Sequence, residues 1–170
     1  MSAVSFHPMT HADAELLAEW IPQTPLWRRY GLTSARAFSL LLGGIDAGDV
    51  LSVAAIDDDP APAGFAWMLP RGTFGRSPYL RWIGIRPGLR GHGLGGALLT
   101  HVESLAADHG RELFLLAADF NTEAQHFYIR HGYVQAGILP DYVVPGVAEL
   151  LYFKRLDAQT RSGITTPTAE

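Results

Sequence analysis

Apolar positions along this chain recur at two spacings, one near 3.6 residues and one near 2, and the switches between them mark its elements. Thr10 followed by Asp13 predicts a capped helix in which Leu16, Leu17, Trp20 and Ile21 recur at helical spacing until Pro22. A second helix is predicted from Ala37, Phe38, Leu40 and Leu41, with Thr33 or Ser34 as its cap and Gly43-Gly44 as its stop. Val50 to Ile56 has strand length and ends at Asp57-Asp58-Asp59-Pro60; Gly64 to Leu69 is its antiparallel partner. Tyr79 to Ile85 is a further strand, closed by Pro87. Leu94, Ala97, Leu98, His101, Val102 and Leu105 share one helical face, with Gly110 as the stop. Leu113 to Ala118 reads as a strand buried on both faces, and Thr122 to His131 as a helix ended by Gly132. Tyr133 to Ile138 and Glu149 to Leu156 are two closing strands. This order predicts an α/β (α+β) domain, a mixed sheet with helices packed on it.

A chain of 170 residues, 48% apolar, fits one domain over residues 1–156. At this size a domain buries roughly 70% of the surface its unfolded chain exposes, so it needs neither metal nor disulfide to fold. Residues 157–170, rich in Thr, Ser, Gly and Pro, are expected to form a flexible tail. The absence of cysteine excludes a disulfide framework, a thiolate zinc site and a cysteine nucleophile. The N-terminal segment lacks the pattern of a signal peptide and no apolar run reaches the ~18 residues of a membrane span, so a cytoplasmic location and no membrane partner are expected. A net charge of −4 argues against nucleic acid as a partner. Yet Pro60 to Val102 contains no acid and five arginines (Arg71, Arg76, Arg81, Arg86 and Arg90), which leaves the rest of the chain at −9. Such a local basic stretch suggests either an anion site or arginines solvated on loops and strand ends.

Arg90-Gly91-His92-Gly93-Leu94-Gly95-Gly96 lies between a predicted strand and a predicted helix. Glycines let the backbone approach a ligand closely, and a helix N-terminus presents unpaired N–H groups with partial positive charge. Together they suit a phosphate or pyrophosphate. Gly91-x-Gly93-x-x-Gly96 also fits the dinucleotide fingerprint, but Arg90 occupies the tight turn and only 51 residues follow Asp119, too few for that fold's second half. No Gly-Lys-Ser/Thr follows, which excludes a Walker-type loop.

Arg90-x-x-Gly93-x-Gly95 resembles the acyl-CoA-binding signature of the GNAT acetyltransferase superfamily, and Ile83-Gly84-Ile85-Arg86-Pro87 is similar to the strand that precedes it in that family. Asn121-x-x-Ala124-x-x-Phe127-Tyr128-x-x-x-Gly132-Tyr133 resembles a second family pattern downstream. The resemblance implies a mainly antiparallel sheet with a splayed parallel strand pair and helices on both faces. It also implies acetyl-CoA as co-substrate, with no metal. Backbone groups of Ile83 and Ile85, flanking Gly84, would hold pantetheine much as an added strand. Arg90 and the amides of Gly91, His92, Gly93, Leu94, Gly95 and Gly96 would hold the pyrophosphate. Asn121 would contact the cofactor near its reacting end, Tyr128 would stand by the sulfur, and the Ile85 N–H would serve the oxyanion.

Without cysteine, direct attack by a primary amine on the thioester in a ternary complex is the simplest route. Freeing the lone pair of an amine with pKa ≈ 10.4 costs about 4–5 kcal/mol at pH 7, against about 2 for protonating a departing thiolate. Tyr128 is therefore read as a hydrogen-bond donor rather than a strong acid, its alternative being an ordinary core tyrosine. The base is left open between Asp119, Glu19 and a water chain, because Tyr79–Ile85 contains no acid where some family members carry Glu. Seven histidines, among them His101, His126 and His131, fall in no metal-ligand spacing. Family acceptor pockets lie between the N-terminal helices and late loops, which nominates Trp20, Trp27, Tyr30, Phe74 and Tyr142. The expected partners are acetyl-CoA and an amine acceptor, with a homodimer left open. A non-catalytic acyl-CoA-binding module and a dinucleotide-binding protein are the alternatives.

Overall fold

The structure is a computed structural model that describes residues 3–57 and 59–157; the expected tail from residue 158 onward lies outside the described residues. Its elements are β1 (Val4–Pro8), α1 (His11–Trp20), a 3-10 turn (Ile21–Gln23), α2 (Pro25–Arg29), α3 (Ser34–Asp46), β2 (Val50–Ile56), β3 (Gly64–Thr73) and β4 (Ser77–Ile85). They continue with α4 (Leu94–Ala106), β5 (Glu112–Ala118), α5 (Thr122–Arg130), β6 (Val134–Pro140) and β7 (Ala148–Arg155). The seven strands form one sheet in the order β1-β2-β3-β4-β5-β7-β6, antiparallel except for β4 beside β5. A mixed sheet with one parallel pair is the architecture anticipated from the sequence, and it removes the dinucleotide alternative, whose fold requires a mostly parallel sheet.

Side chains alternate across the sheet and feed two cores. Phe65 and Trp67 of β3 point to α1, α2 and α3, packing with Leu17, Ile21, Trp27 and Leu41. Ala66 and Met68 point to the other face, where they join Leu98, Leu99 and Val102 of α4, Leu113 and Leu115 of β5, and Tyr152 of β7. Both faces thus carry helices. Among the described residues no helix is long and apolar enough to cross a membrane.

Several boundaries differ from the sequence reading. The α1 cap is as expected: Thr10 Oγ1 accepts from Asp13 N–H, and the Asp13 carboxylate accepts from Thr10 N–H. Helix α3 runs through Gly43-Gly44 to Asp46, because Gly44 packs against β3; a Cβ there would meet the Trp67 ring at 2.7 Å. Helix α4 stops at Ala106, before Gly110, and its buried face is Leu94, Leu98, Leu99, Val102 and Ala106, with Ala97 exposed. β5 is not buried evenly on both faces, since Phe114 and Leu116 are only half-buried.

Candidate active site

Strands β4 and β5 pair only at Tyr79↔Phe114 and Leu80↔Leu115 and then separate. The shift in register between Trp67↔Trp82 and Met68↔Leu80 leaves Arg81 as an extra residue, a β-bulge that bends β4 at the point of separation. Beyond it the backbone of β4 has an open edge. The Arg86 N–H donates to the Ala63 carbonyl at 2.8 Å, and hydrogen-bonded pairs alternate in an antiparallel ladder. Gly84 therefore bonds to Phe65, whereas the N–H and C=O groups of Ile83 and Ile85 turn away from β3 into the opening.

Downstream of this edge, Gly88, Gly91 and Gly93 adopt φ of +90°, +81° and +79°, a region favourable only to glycine. Gly93 is the N-cap of α4. The first bond of that helix runs from Ala97 N–H to Gly93 O at 3.1 Å, which leaves the amides of Leu94, Gly95 and Gly96 without intrahelical partners. A Cβ at Gly91 or Gly93 would meet no protein atom within 4 Å. The loop is thus an open cradle of N–H donors at the positive end of a 13-residue helix, with a chemistry that fits a diphosphate. His92 is exposed in this loop, and Leu94 is buried as its anchor. Gly96 has a packing reason as well, since a Cβ there would lie 2.9 Å from His131 Nε2 of the α5 C-cap. Gly84 likewise leaves room for Trp27, whose ring would stand 2.4 Å from a Cβ.

The basic stretch divides between the readings offered by the sequence. Only Arg90 joins the loop, its Nε 3.5 Å from the outward Ile85 carbonyl. Arg86 is held by Asp59 and by the Ala61 carbonyl, a pairing that keeps the Asp59 carboxyl below its usual pKa. Arg81 lies over the Trp67 ring, 4.3 Å from its centroid. Arg71 and Arg76 are exposed on the β3–β4 hairpin, away from the loop.

Tyr128 of α5 is buried among Phe127, Tyr133 and Tyr152 on the α4 face of the sheet. Its pKa is raised, first by burial and then by neighbouring Tyr79, so the phenol stays protonated as a donor. Its hydroxyl has no hydrogen-bond partner among the described residues. Asn121 caps α5, its Oδ1 accepting from Ala124 N–H at 3.2 Å. That leaves only its NH2 group for another partner. Gly132, at φ +87°, ends α5, and Tyr133 N–H reaches back to the Tyr128 carbonyl at 3.0 Å.

The opposite face of the opening is built from α2 and its neighbours. Trp27 packs on β4 at Gly84, while Tyr30, just after α2, donates a hydrogen bond to the Glu149 carboxylate at the start of β7. The short α2 segment therefore bridges the two diverging halves of the sheet. Tyr152 and Leu150 of β7 pack on the α4 side, so alternation sends Glu149 to the α2 side. Glu149 is 3% exposed, and its pKa is raised by burial and by the nearby Asp119, against the lowering hydrogen bond from Tyr30. Tyr79 is pushed up to about 12 by burial, by Glu149 and by Tyr142.

Glu149 is the site residue that sequence reading missed: it lies 119 positions from Tyr30, and only the fold joins them. Of the residues considered as base, Glu19 is exposed on α1, and Asp119 accepts from Ala148 N–H at 3.2 Å beside Glu149. Of the aromatics, Tyr30 donates to Glu149, and Tyr142 neighbours Tyr79. Trp20 and Trp27 are core, and Phe74 is 87% exposed on the β3–β4 hairpin. Among the described residues no group of three or more potential ligands is arranged to hold a metal.

The sequence profile described as "Acetyltransferase (GNAT) family" matches residues 15–133. A crystal structure of a putative acetyltransferase of the GNAT family from Desulfovibrio desulfuricans is similar at 24% identity, with 91% of this chain and 100% of that chain covered and a TM-score of 0.75. An aminoglycoside 6'-N-acetyltransferase complexed with coenzyme A is similar at 15% identity, with coverage of 96% and 99% and a TM-score of 0.72. A putative streptothricin acetyltransferase from Bacillus anthracis, in complex with acetyl coenzyme A, matches at 17% identity over 64% of this chain and 63% of that chain, with a TM-score of 0.57. With the profile covering most of the chain, and an open strand edge leading from an amide cradle to a buried phenol, this protein belongs to the GNAT acetyltransferase family.

Proposed function

We propose that the protein transfers the acetyl group of acetyl-CoA directly to a primary amine in a ternary complex. The observation that carries this reading is the continuity of one path: free amides at Leu94–Gly96, outward backbone groups at Ile85 and Ile83, and Tyr128 at the inner end. The cradle amides and Arg90 bind the diphosphate, and the β4 edge holds the pantetheine amides as a neighbouring strand would. The Ile85 N–H receives the carbonyl oxygen as it gains negative charge. Tyr128, neutral and buried, donates a hydrogen bond to the departing sulfur. With its pKa raised, it offers that sulfur a hydrogen bond rather than a full proton transfer. The Asn121 NH2 group is oriented near the same end by the cap that fixes its Oδ1.

Isothermal titration with acetyl-CoA, followed by thiol release across a panel of amines, tests the reading. Binding together with amine-dependent thiol release is expected. Binding with no turnover on any amine would instead make the chain an acyl-CoA-binding module.

A further inference from the structure

Acetyl transfer to an amine makes opposite demands on the two faces of the β4–β5 opening. The sulfur leaves on the Tyr128 side, so the amine must arrive from the α2 side and surrender a proton there. The sequence of β4 supplies no acid for that task. On the α2 side the carboxylate of Glu149 is buried, one oxygen accepting from Tyr30 and the other without a partner among the described residues. It is flanked by Asp119 after β5 and Tyr79 of β4; Tyr142 of the β6–β7 loop neighbours Tyr79, and Arg29 of α2 neighbours Tyr30 and lies over the Phe120 ring at 3.7 Å.

Resting on the acetyl-transfer reading, we propose that Glu149 is the catalytic base: it receives the acceptor as an ammonium ion, takes its proton, and so selects strongly basic aliphatic primary amines. The free oxygen of Glu149 accepts one proton from the ammonium. The nitrogen then forms its bond to the acetyl carbonyl carbon, and the carbon–sulfur bond breaks. The second nitrogen proton ends on the coenzyme A sulfur, so the products are the amide, the free thiol and a protonated Glu149 that returns its proton to solvent. Tyr30 is a positioning residue: its hydroxyl fixes the carboxylate and holds back the rise in pKa that burial imposes. A buried carboxylate with a raised pKa is a stronger base than a solvated one.

The test compares two acceptors that the wild-type protein acetylates, one an alkylamine and one a weakly basic amine already neutral at pH 7. Glu149→Gln is expected to lower kcat with the alkylamine by about 10²–10⁴-fold, the range for general-base removal. Acetyl-CoA affinity should be kept, and the loss with the weakly basic amine should fall below about tenfold, because that acceptor needs no proton removed before attack. Tyr30→Phe, which keeps the carboxylate, is expected to move the acidic limb of the kcat/KM profile to higher pH. Equal losses on both amines, or an unmoved limb in Tyr30→Phe, would overturn the assignment and leave acetyl transfer standing. A wild-type protein that acetylates no amine would bring down both.

Discussion

Gly93 stands at φ +79°, and a Cβ built there meets no protein atom within 4 Å. Gly93→Ala therefore has two separable effects. A non-glycine residue in the left-handed region costs about 1–2 kcal/mol, which for a protein of this size lowers Tm by about 2–8 °C. The new methyl also enters the open space of the loop that the proposed diphosphate would occupy. Each hydrogen bond to a charged group is worth about 1.5–3 kcal/mol, so displacing one by the methyl weakens acetyl-CoA binding by roughly ten- to a hundredfold. Gly48 is the matched control: its φ is +75° and its Cβ space is equally empty, but it lies between α3 and β2, away from the loop. Differential scanning calorimetry should record similar Tm losses for Gly93→Ala and Gly48→Ala. Titration calorimetry should record weakened acetyl-CoA binding for Gly93→Ala alone. Equal affinities in the two variants would refute the placement of the diphosphate on these amides.

Tyr128→Phe should lower kcat by roughly ten- to a hundredfold while leaving the acetyl-CoA Kd nearly unchanged, as steady-state kinetics and titration would show. Gly96→Ala crowds His131, whose Nδ1 is held 2.7 Å from the Phe127 carbonyl, and should cost about 1–3 kcal/mol in denaturant unfolding; adding His131→Ala should recover most of it. Lys154 donates to both oxygens of buried Glu103, which also accepts from Tyr133 at 3.0 Å. Lys154→Ala should destabilise by about 3 kcal/mol, the low end for breaking a buried pair because Lys154 is partly exposed and Tyr133 still donates. Burial raises the folded-state pKa of Glu149, so the folded protein binds the extra proton and stability falls as pH rises through the window between the unfolded and folded values. Glu149→Gln should then raise Tm near pH 8 and lose that advantage below the unfolded carboxylate pKa of about 4.3; a Tm difference independent of pH would contradict the assigned burial effect.

What the sequence made legible was local. The glycine loop and the α4 N-terminus depend on residues within seven positions of each other, and α5 and its Gly132 stop within twelve, so spacing exposed them, whereas Asn121 and Tyr128 were singled out by the family resemblance. Strand β1 escaped because Val4–Pro8 is a five-residue edge strand ending in proline, too short for its alternation to stand out. Helix α2, also five residues and entered through Pro25, carries no periodicity to read, although Trp27 and Tyr30 make it a wall of the site. Gly43 and Gly44 read as a stop, since the reason for Gly44 is the Trp67 ring from another element. The arginine stretch looked collective in one dimension, yet β3, β4 and the loop send its members to different surfaces. Glu149 looked like an ordinary strand residue because its burial and its bond to Tyr30 exist only after β7 is paired with β5.

A crystal soaked with acetyl-CoA tests the central claim most directly. The diphosphate is predicted within hydrogen-bonding distance of the amides of Leu94, Gly95 and Gly96, with pantetheine along Ile83 and Ile85 and the thioester sulfur beside the Tyr128 hydroxyl. Electron density for the phosphates away from the start of α4, or pantetheine outside the β4–β5 opening, would contradict it.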